Sequence, residues 1–242
     1  MEVKIVLNTF GWIDGITSSF VVIFGIIFGS FFIYRAKKLN AKLLIYLGAA
    51  SMFAGLMFLG VFLDFLSVLL VGQNLPNDHG LVGLLSYVWY APVIIVSIYI
   101  GVELLLEKNN WLILSIFIIL SILFEVIIFL NPLDSFNFVY PVNMESPEVL
   151  IDYNINLYSV AGILMAILLF SLVFFLGIGF LRKAWQSSGT MRKKFLLLSL
   201  GSFSFCIFGL FEGVTVPGIA IVFIRIGYLS SFWLFYFGLI RG

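Results

Sequence analysis

Long apolar runs alternate with short polar segments along the whole chain, and seven such runs can be counted. Each is long enough for a helix to cross a hydrocarbon core of about 30 Å at about 1.5 Å per residue. Because backbone polar groups in lipid must pair within their own segment, we expect these runs to be helical. The predicted spans are residues 10–34, 43–71, 81–106, 111–130, 155–181, 195–213 and 217–240.

Composition agrees with a membrane location. The chain is 62% hydrophobic and 10% charged, with a mean hydropathy of +1.18. A soluble domain of this length carries about 25% charged residues. The sequence therefore predicts an all-α integral membrane protein, a seven-transmembrane helix bundle that forms one domain over residues 1–242 and crosses the cell membrane several times.

The basic residues predict the orientation of this bundle. Eleven of the thirteen lysines and arginines fall in the loops after spans 1, 3 and 5 or at the C-terminus, and the loops after spans 2, 4 and 6 contain none. Loops rich in Lys and Arg usually stay in the cytoplasm. We therefore expect the N-terminus outside and the C-terminus in the cytoplasm. The eleven residues are Arg35, Lys37, Lys38, Lys42, Lys108, Arg182, Lys183, Arg192, Lys193, Lys194 and Arg241.

The same residues suggest partners. The segments Arg35–Lys42 and Arg182–Lys194 could contact anionic membrane lipids or a cytoplasmic or membrane signalling partner, or could serve only to fix the topology. A net charge of +1 excludes nucleic-acid binding through a basic surface. Gly25 and Gly29 match the small-xxx-small pattern of closely packed helices. That pattern fits packing within the chain, or a homodimer face on the first span.

One positive charge lies inside an apolar stretch, in "AIVFIRIGYLSSFWLF" (residues 220–235). Arg225 would lie about 12 Å below the outer end of its span. An unpartnered charge near the bilayer centre costs at least about 2.5–3.5 kcal/mol, so Arg225 needs a carboxylate or a wet cavity. Glu125, about two-thirds of the way out along the fourth span, is its first-choice partner.

Other polar residues are expected in the same outer half. Acids near the outer ends of three further spans, aromatic residues at similar depth and a proline in the third span suggest an outward-facing pocket whose flex point is Pro92. Excess carboxylates would favour cations or amines, unless burial protonates some of them. In the alternative interpretation, Arg225 only locks helix packing and the helix-end acids face water. The candidate ligand-binding residues are Arg225, Glu125, Asp64, Tyr228, Trp89, Tyr90, Asp14 and Glu212.

The long outer segment "NPLDSFNFVYPVNMESPEVLIDYN" (residues 131–154) contains four acids and no basic residue. It could form a lid over this pocket, or it could be an ordinary surface loop.

Catalytic chemistry is sparse in the sequence. The single histidine, His79, is expected in a solvated loop, and the single cysteine, Cys206, lies in an apolar run. No Gly-x-Ser-x-Gly motif, paired intramembrane aspartates or phosphate-binding glycine loop is present. We therefore expect neither an enzyme nor a cofactor or metal site.

The chain resembles the seven-helix sensor modules of bacterial and archaeal signalling proteins, as in the N-terminal regions of some histidine kinases. The similar features are the seven spans, the outside N-terminus, the basic junction "SSGTMRKKFLLLSLG" (187–201) and the terminal "RIGYLSSFWLFYFGLIRG" (225–242). The resemblance implies sensing of a ligand or of the membrane state. Because the sequence ends at Gly242 without an output domain, we expect signalling through a separate partner.

Three functions are compatible with these observations. The first is a receptor-like sensor that binds a small polar or cationic ligand in an outward-facing cavity. The second is a small transporter of cations or polar solutes, or a transporter subunit, and the third is a structural membrane subunit. A transporter needs a polar path to the inner side, where Glu103 is the only acid within a span, so this pattern favours the sensor.

Overall fold

The computed structural model describes residues 7–106, 110–143, 147–216 and 218–240. The described chain is mostly helical, with one short antiparallel hairpin. Lys4, Lys108, Glu145 and Arg241, which entered the charge analysis, lie outside the described residues. The helices are α1 (Thr9–Lys38), α2 (Lys42–Leu56), α3 (Leu59–Val71), α4 (Leu81–Tyr87), α5 (Tyr90–Leu105), α6 (Asn110–Leu130), α7 (Pro132–Ser135), α8 (Val160–Leu172), α9 (Gly179–Trp185), α10 (Gly189–Glu212) and α11 (Ile219–Ile240).

Several of these helices combine into longer rods. Leu81–Leu105 and Val160–Trp185 each act as one span, the latter through a π-helical turn at Val173–Ile178. Among the described residues, six helices are long and apolar enough to cross a membrane, or seven if the bent pair α2–α3 forms one span. Many large apolar side chains on these helices are exposed, as expected of surfaces that face lipid. The helical, multi-pass membrane character predicted from the sequence is thus confirmed.

The bend between α2 and α3 is the main departure from the predicted spans. The two helices meet at 46°, at Met57 and Phe58. Just after the bend, the backbone N–H of Gly60 donates to the Ser86 hydroxyl at 2.8 Å instead of continuing the helical pattern. A Cβ at Gly60 would lie 1.9 Å from the carbonyl oxygen of Val82. The glycine therefore lets α3 pack directly against α4.

Glycines also bring α1 and α2 together. A Cβ on Gly25 would lie 2.6 Å from the Cα of Gly55, and one on Gly29 would lie 2.7 Å from the carbonyl oxygen of Gly48. Only glycines allow two helix backbones to approach this closely. The homodimer interpretation of Gly25 and Gly29 is therefore wrong for this face, because α2 of the same chain covers it.

The described basic residues other than Arg225 gather at one end of the bundle. Arg35–Lys42 joins α1 to α2, and Arg182–Lys194 joins α9 to α10. The two connections lie at the same end, since Tyr46 of α2 contacts Tyr99 of α5 and the Arg182 guanidinium donates to the Leu105 carbonyl. We call this the basic end, and the other the acidic end.

A hairpin packs on the acidic end. Strands β1 (Phe136–Val139) and β2 (Asp152–Ile155) pair antiparallel, with Phe136 opposite Ile155. The backbone N–H of Asn8 donates to the carbonyl of Glu148 at 2.7 Å, which ties the hairpin connection to the start of α1. The two strands were not part of the all-α prediction, in which residues 155–159 belonged to the fifth span.

Candidate functional site

A cavity of about 80 Å³ lies inside the acidic end. One water needs about 10–15 Å³ of such a cavity, so there is room for roughly six waters or one small organic molecule. Helices α1, α5, α8, α10 and α11, the α2–α3 bend and strand β2 all contribute to its walls. Its polar lining is Asp14, Asp152, Tyr153, Glu212, Thr215 and Arg225, and its apolar and aromatic lining includes Met57, Phe58, Tyr90, Met165, Phe205 and Tyr228.

Arg225 is held by the ends of two other helices. Its side chain is 2% exposed, about two turns into α11. Nε and Nη2 donate to Glu212 Oε1 at 3.0 and 2.8 Å. Nη1 donates to Thr17 Oγ1 at 2.7 Å and to the main-chain carbonyl of Asp14 at 2.8 Å. The guanidinium also lies 5.3 Å from the centre of the Phe58 ring, in cation–π contact.

The Asp14 carboxylate completes an ion-pair triad with Arg225 and Glu212. Its Oδ1 lies 2.7 Å from Arg225 Nη2, which makes the second ion pair of the guanidinium. Asp14 is held one turn into α1, which Asn8 caps by accepting from the N–H groups of Phe10 and Gly11. Glu212 is the last residue of α10. The triad therefore joins α1, α10 and α11 at one point.

The predicted pairing of Arg225 with Glu125 is wrong. Arg225 pairs with Asp14 and Glu212. Glu125 lies on α6, which packs against α5 and α8, whereas α11 packs against α1 and α10. The rise per residue gives the depth of a side chain but does not say which helices are neighbours. Arg225 and Glu125, although predicted at similar depth, lie on different sides of the bundle.

Asp64 also lies outside the cavity. It is fully buried, and its carboxylate accepts from Asn74 Nδ2 at 2.9 Å, from the Leu75 N–H at 2.7 Å and from the Ile151 N–H at 2.8 Å. Three donors engage both oxygens, so Asp64 fastens two loops of the acidic end to α3. The interpretation of Asp64 as a ligand-binding residue is corrected to this structural contact.

Two of the three predicted aromatic residues line the cavity. Tyr90 donates to the Met165 carbonyl at 2.9 Å, and Tyr228 donates to the Ala54 carbonyl at 3.1 Å. These hydrogen bonds fix both rings against the cavity. Trp89 instead stacks on Phe53, with 5.8 Å between ring centres, and is not part of the lining.

Pro92 lies in the first turn of α5, just after the irregular turn at Val88 and Trp89. Because Pro92 lacks the N–H that would bond back to the Val88 carbonyl, an interruption of the helix is expected at this turn. The larger bend of the bundle lies at the Met57–Phe58 junction, which carries no sequence signal for a break and lines the cavity.

Asp152 and Tyr153 line the cavity from β2 and were not identified from the sequence. Tyr153 donates to the Ser86 hydroxyl, and burial raises the pKa of its phenol well above the usual value. Burial, together with the nearby charge of Asp14, raises the pKa of the Asp152 carboxyl to about 6. The sequence shows the acidic residues of segment 131–154, but only the pairing of β1 with β2 places Asp152 beside the cavity.

Toward the basic end, a second cavity of about 10 Å³ lies beyond Val93 and Phe205, which line both cavities. It holds one water at most. Its lining, apart from two serines, is apolar: Leu47, Ala50, Ser51, Ala54, Val93, Ser97, Leu176, Phe205, Phe232 and Phe235. This second cavity is therefore not a polar continuation of the main cavity.

The described residues contain no group of three or more His, Cys, Asp or Glu side chains arranged to hold a metal ion. A scan against protein-family models finds no match, and no curated protein matches the sequence. The function must therefore be argued from the geometry of the cavity.

Proposed function

We propose that this chain is a receptor-like membrane sensor that binds a small polar or cationic ligand in the cavity at its acidic end. In this proposal the acidic end and the N-terminus face the outside, and the basic end faces the cytoplasm. The observation that carries the proposal is that the Arg225 triad opens onto a cavity instead of being enclosed by packed side chains.

A purely structural role explains this arrangement less well. A buried ion pair is a poor source of stability, because desolvation offsets most of its attraction, and it is best satisfied when every polar atom has a partner. Here the triad has one more carboxylate than guanidinium, and Glu212 Oε2 is buried without a hydrogen-bond partner among the described residues. A ligand in the adjoining cavity would supply the missing contacts.

Sensing is favoured over transport by the packing below the cavity. A transported solute needs a route to the other side, and the cavity next to the main one, toward the basic end, is mostly apolar and holds one water at most. A ligand in the cavity would instead contact α1, α10, α11 and the α2–α3 bend together. Ligand binding could therefore change the relative positions of these helices, which also carry the basic segments.

The basic segments Arg35–Lys42 and Arg182–Lys194 would then be the output surface. They lie at the opposite ends of the helices that line the cavity, and they can contact anionic lipids or a separate signalling partner. This agrees with the resemblance to seven-helix sensor modules. No partner is needed for the ligand to bind.

A cavity-filling variant tests ligand binding. Gly209 lines the cavity, and a Cβ there would meet only Tyr228, at 3.6 Å, so Gly209→Leu adds bulk inside the cavity without a backbone clash. The control Ile207→Phe adds bulk to the half-exposed, lipid-facing side of the same helix. We expect some compounds of a broad metabolite panel to raise the melting temperature of the purified protein and of Ile207→Phe, but not of Gly209→Leu. A panel without any such compound would contradict the proposal.

Cysteine labelling tests the orientation. Cys206 is buried, so a single exposed cysteine can be introduced at Asp134 near the acidic end or at Ser188 near the basic end. In intact cells, a membrane-impermeant maleimide should label Asp134→Cys, and it should label Ser188→Cys only after lysis. The reverse pattern would place the cavity on the cytoplasmic side.

A further inference from the structure

Two carboxylate oxygens of the cavity-lining residues lack a partner. Asp152 Oδ2 and Glu212 Oε2 are buried, and neither has a hydrogen-bond partner among the described residues, whereas Asp14 Oδ1 lies 2.7 Å from Arg225 Nη2. Buried acceptors normally find donors, because leaving them unpaired is unfavourable. The buried donors without partners in the described chain are Arg35 Nε, Trp89 Nε1 and the Ser121 hydroxyl, and none of these residues lines the cavity. What the cavity lacks is therefore hydrogen-bond donors.

The charges of the lining point the same way. Asp14, Asp152 and Glu212 face one guanidinium, so the lining is short of positive charge whenever at least two of the three acids are ionised. An anionic ligand would meet like charge. A bare metal ion does not fit either, because these acids do not form a metal-binding group. An ammonium group has three donors and no acceptor, which suits the two unpaired carboxylate oxygens on β2 and α10.

The rest of the lining is suited to an apolar body. Tyr90, Phe205 and Tyr228 line the cavity together with Met57 and Met165. The hydroxyls of Tyr90 and Tyr228 donate to main-chain carbonyls, so these residues present ring surface to the cavity. Aromatic rings contact both apolar groups and cations favourably.

We infer that the ligand of this cavity is a small protonated primary amine with a compact apolar body. Its ammonium group donates to Asp152 and Glu212, and its apolar body lies against Tyr90, Phe205 and Tyr228. The inference rests on the proposed function, and it restricts that function to one chemical class. The volume of about 80 Å³ restricts the body to about the size of one ring.

Four matched probes test the class of ligand. Benzylamine, benzyl alcohol, benzoate and benzyltrimethylammonium share one ring and differ in charge and in N–H donors. We expect benzylamine to bind the purified full chain in titration calorimetry and to raise its melting temperature. Benzyl alcohol and benzyltrimethylammonium should bind at least tenfold more weakly, and benzoate should not bind. Equal or tighter binding of any of these three overturns the inference.

Variants of two of the four acids in segment 131–154 connect binding to the cavity. Asp152→Asn removes one acceptor charge outside the helices, and Asp134→Asn makes the same change at an exposed position of the same segment. Benzylamine should bind Asp152→Asn at least tenfold more weakly and Asp134→Asn with unchanged affinity. Unchanged affinity for Asp152→Asn, or for Gly209→Leu, overturns the inference.

The two proposals can fail separately. If the metabolite panel yields ligands that Gly209→Leu abolishes, and these are neutral or anionic, the sensor proposal is supported and the amine inference is overturned. If no compound binds, both are overturned.

Discussion

Substituting Arg225 separates the charge of the buried triad from its packing. Arg225→Gln removes the ion pairs to Asp14 Oδ1 and Glu212 Oε1 and the cation–π contact with Phe58. Both carboxylates then remain largely buried without an opposite charge, with side-chain exposures of 5% and 19%. Removing one partner of a buried ion pair costs roughly 3–5 kcal/mol, since the other charge is left uncompensated.

A neutral triple variant should recover most of this loss. Asp14→Asn and Glu212→Gln, combined with Arg225→Gln, remove all three charges and keep polar groups of similar volume. If uncompensated charge is the cause, the triple variant should unfold at a higher temperature than Arg225→Gln alone. For Arg225→Gln alone, the cost of roughly 3–5 kcal/mol corresponds to a melting temperature roughly 6–20 °C below that of the wild type, at about 2–4 °C per kcal/mol for a chain of this size.

The assay is thermal unfolding of the purified proteins in one detergent, followed by near-ultraviolet circular dichroism. The double variant Asp14→Asn with Glu212→Gln is the control, because it leaves Arg225 buried without an opposite charge and should be destabilised as well. A triple variant as unstable as Arg225→Gln alone would refute the electrostatic explanation and leave only the lost contacts with Thr17 and Phe58.

Three further predictions follow from single residues. Asp64→Ala leaves three buried donors without an acceptor, so it should lower the free energy of unfolding by about 2–4 kcal/mol and increase proteolysis within residues 131–159. Gly209→Ala, which has room for a Cβ, should raise the melting temperature, whereas Gly25→Ala should lower it because α1 and α2 must separate. The pKa of Asp152 is about 6 in the folded protein, against an ordinary pKa of 3.8. The carboxyl therefore stays protonated to higher pH in the folded chain than in the unfolded chain, and stability should fall as pH rises between these values. Asp152→Asn should flatten that fall in melting curves recorded from pH 4 to 7.

The sequence predicted well what depends on one helix at a time. Apolar length identified, among the described residues, six helices long enough to cross a membrane, with the bent pair α2–α3 as a seventh only if it forms one span, and the rise per residue placed Arg225 inside its helix and Asp14 and Glu212 near the ends of theirs. The buried arginine was expected to need a carboxylate partner, and it pairs with Asp14 and Glu212. The predicted partner failed because helix order around the bundle is set by packing, such as the glycine contacts between α1 and α2, which single-helix arithmetic does not contain.

Features that depend on contacts between distant segments could not be predicted. The bend at Met57 and Phe58 has no proline, and it arises where the Gly60 N–H finds the Ser86 hydroxyl 26 residues away. The position of Asp152 depends on the pairing of β1 with β2 and on the Ile151 N–H reaching Asp64. Each is local in space but remote along the chain.

These remote contacts connect the cavity to the covering hairpin and to the bend. Asp64 of α3 holds the Ile151 N–H, the next residue lines the cavity, and Tyr153 donates to the same Ser86 hydroxyl that accepts the Gly60 N–H after the bend. An ammonium group drawn to Asp152 would therefore pull on a segment that is hydrogen-bonded to α3 at Asp64 and, through Ser86, linked to Gly60 just after the bend. Because α2 packs along α1 down to the basic segment Arg35–Lys42, a change in the 46° bend is the most direct route from the ligand to the basic end. Spin labels on α2 and α3 would measure that angle with and without benzylamine, and an unchanged distance between them would exclude this route.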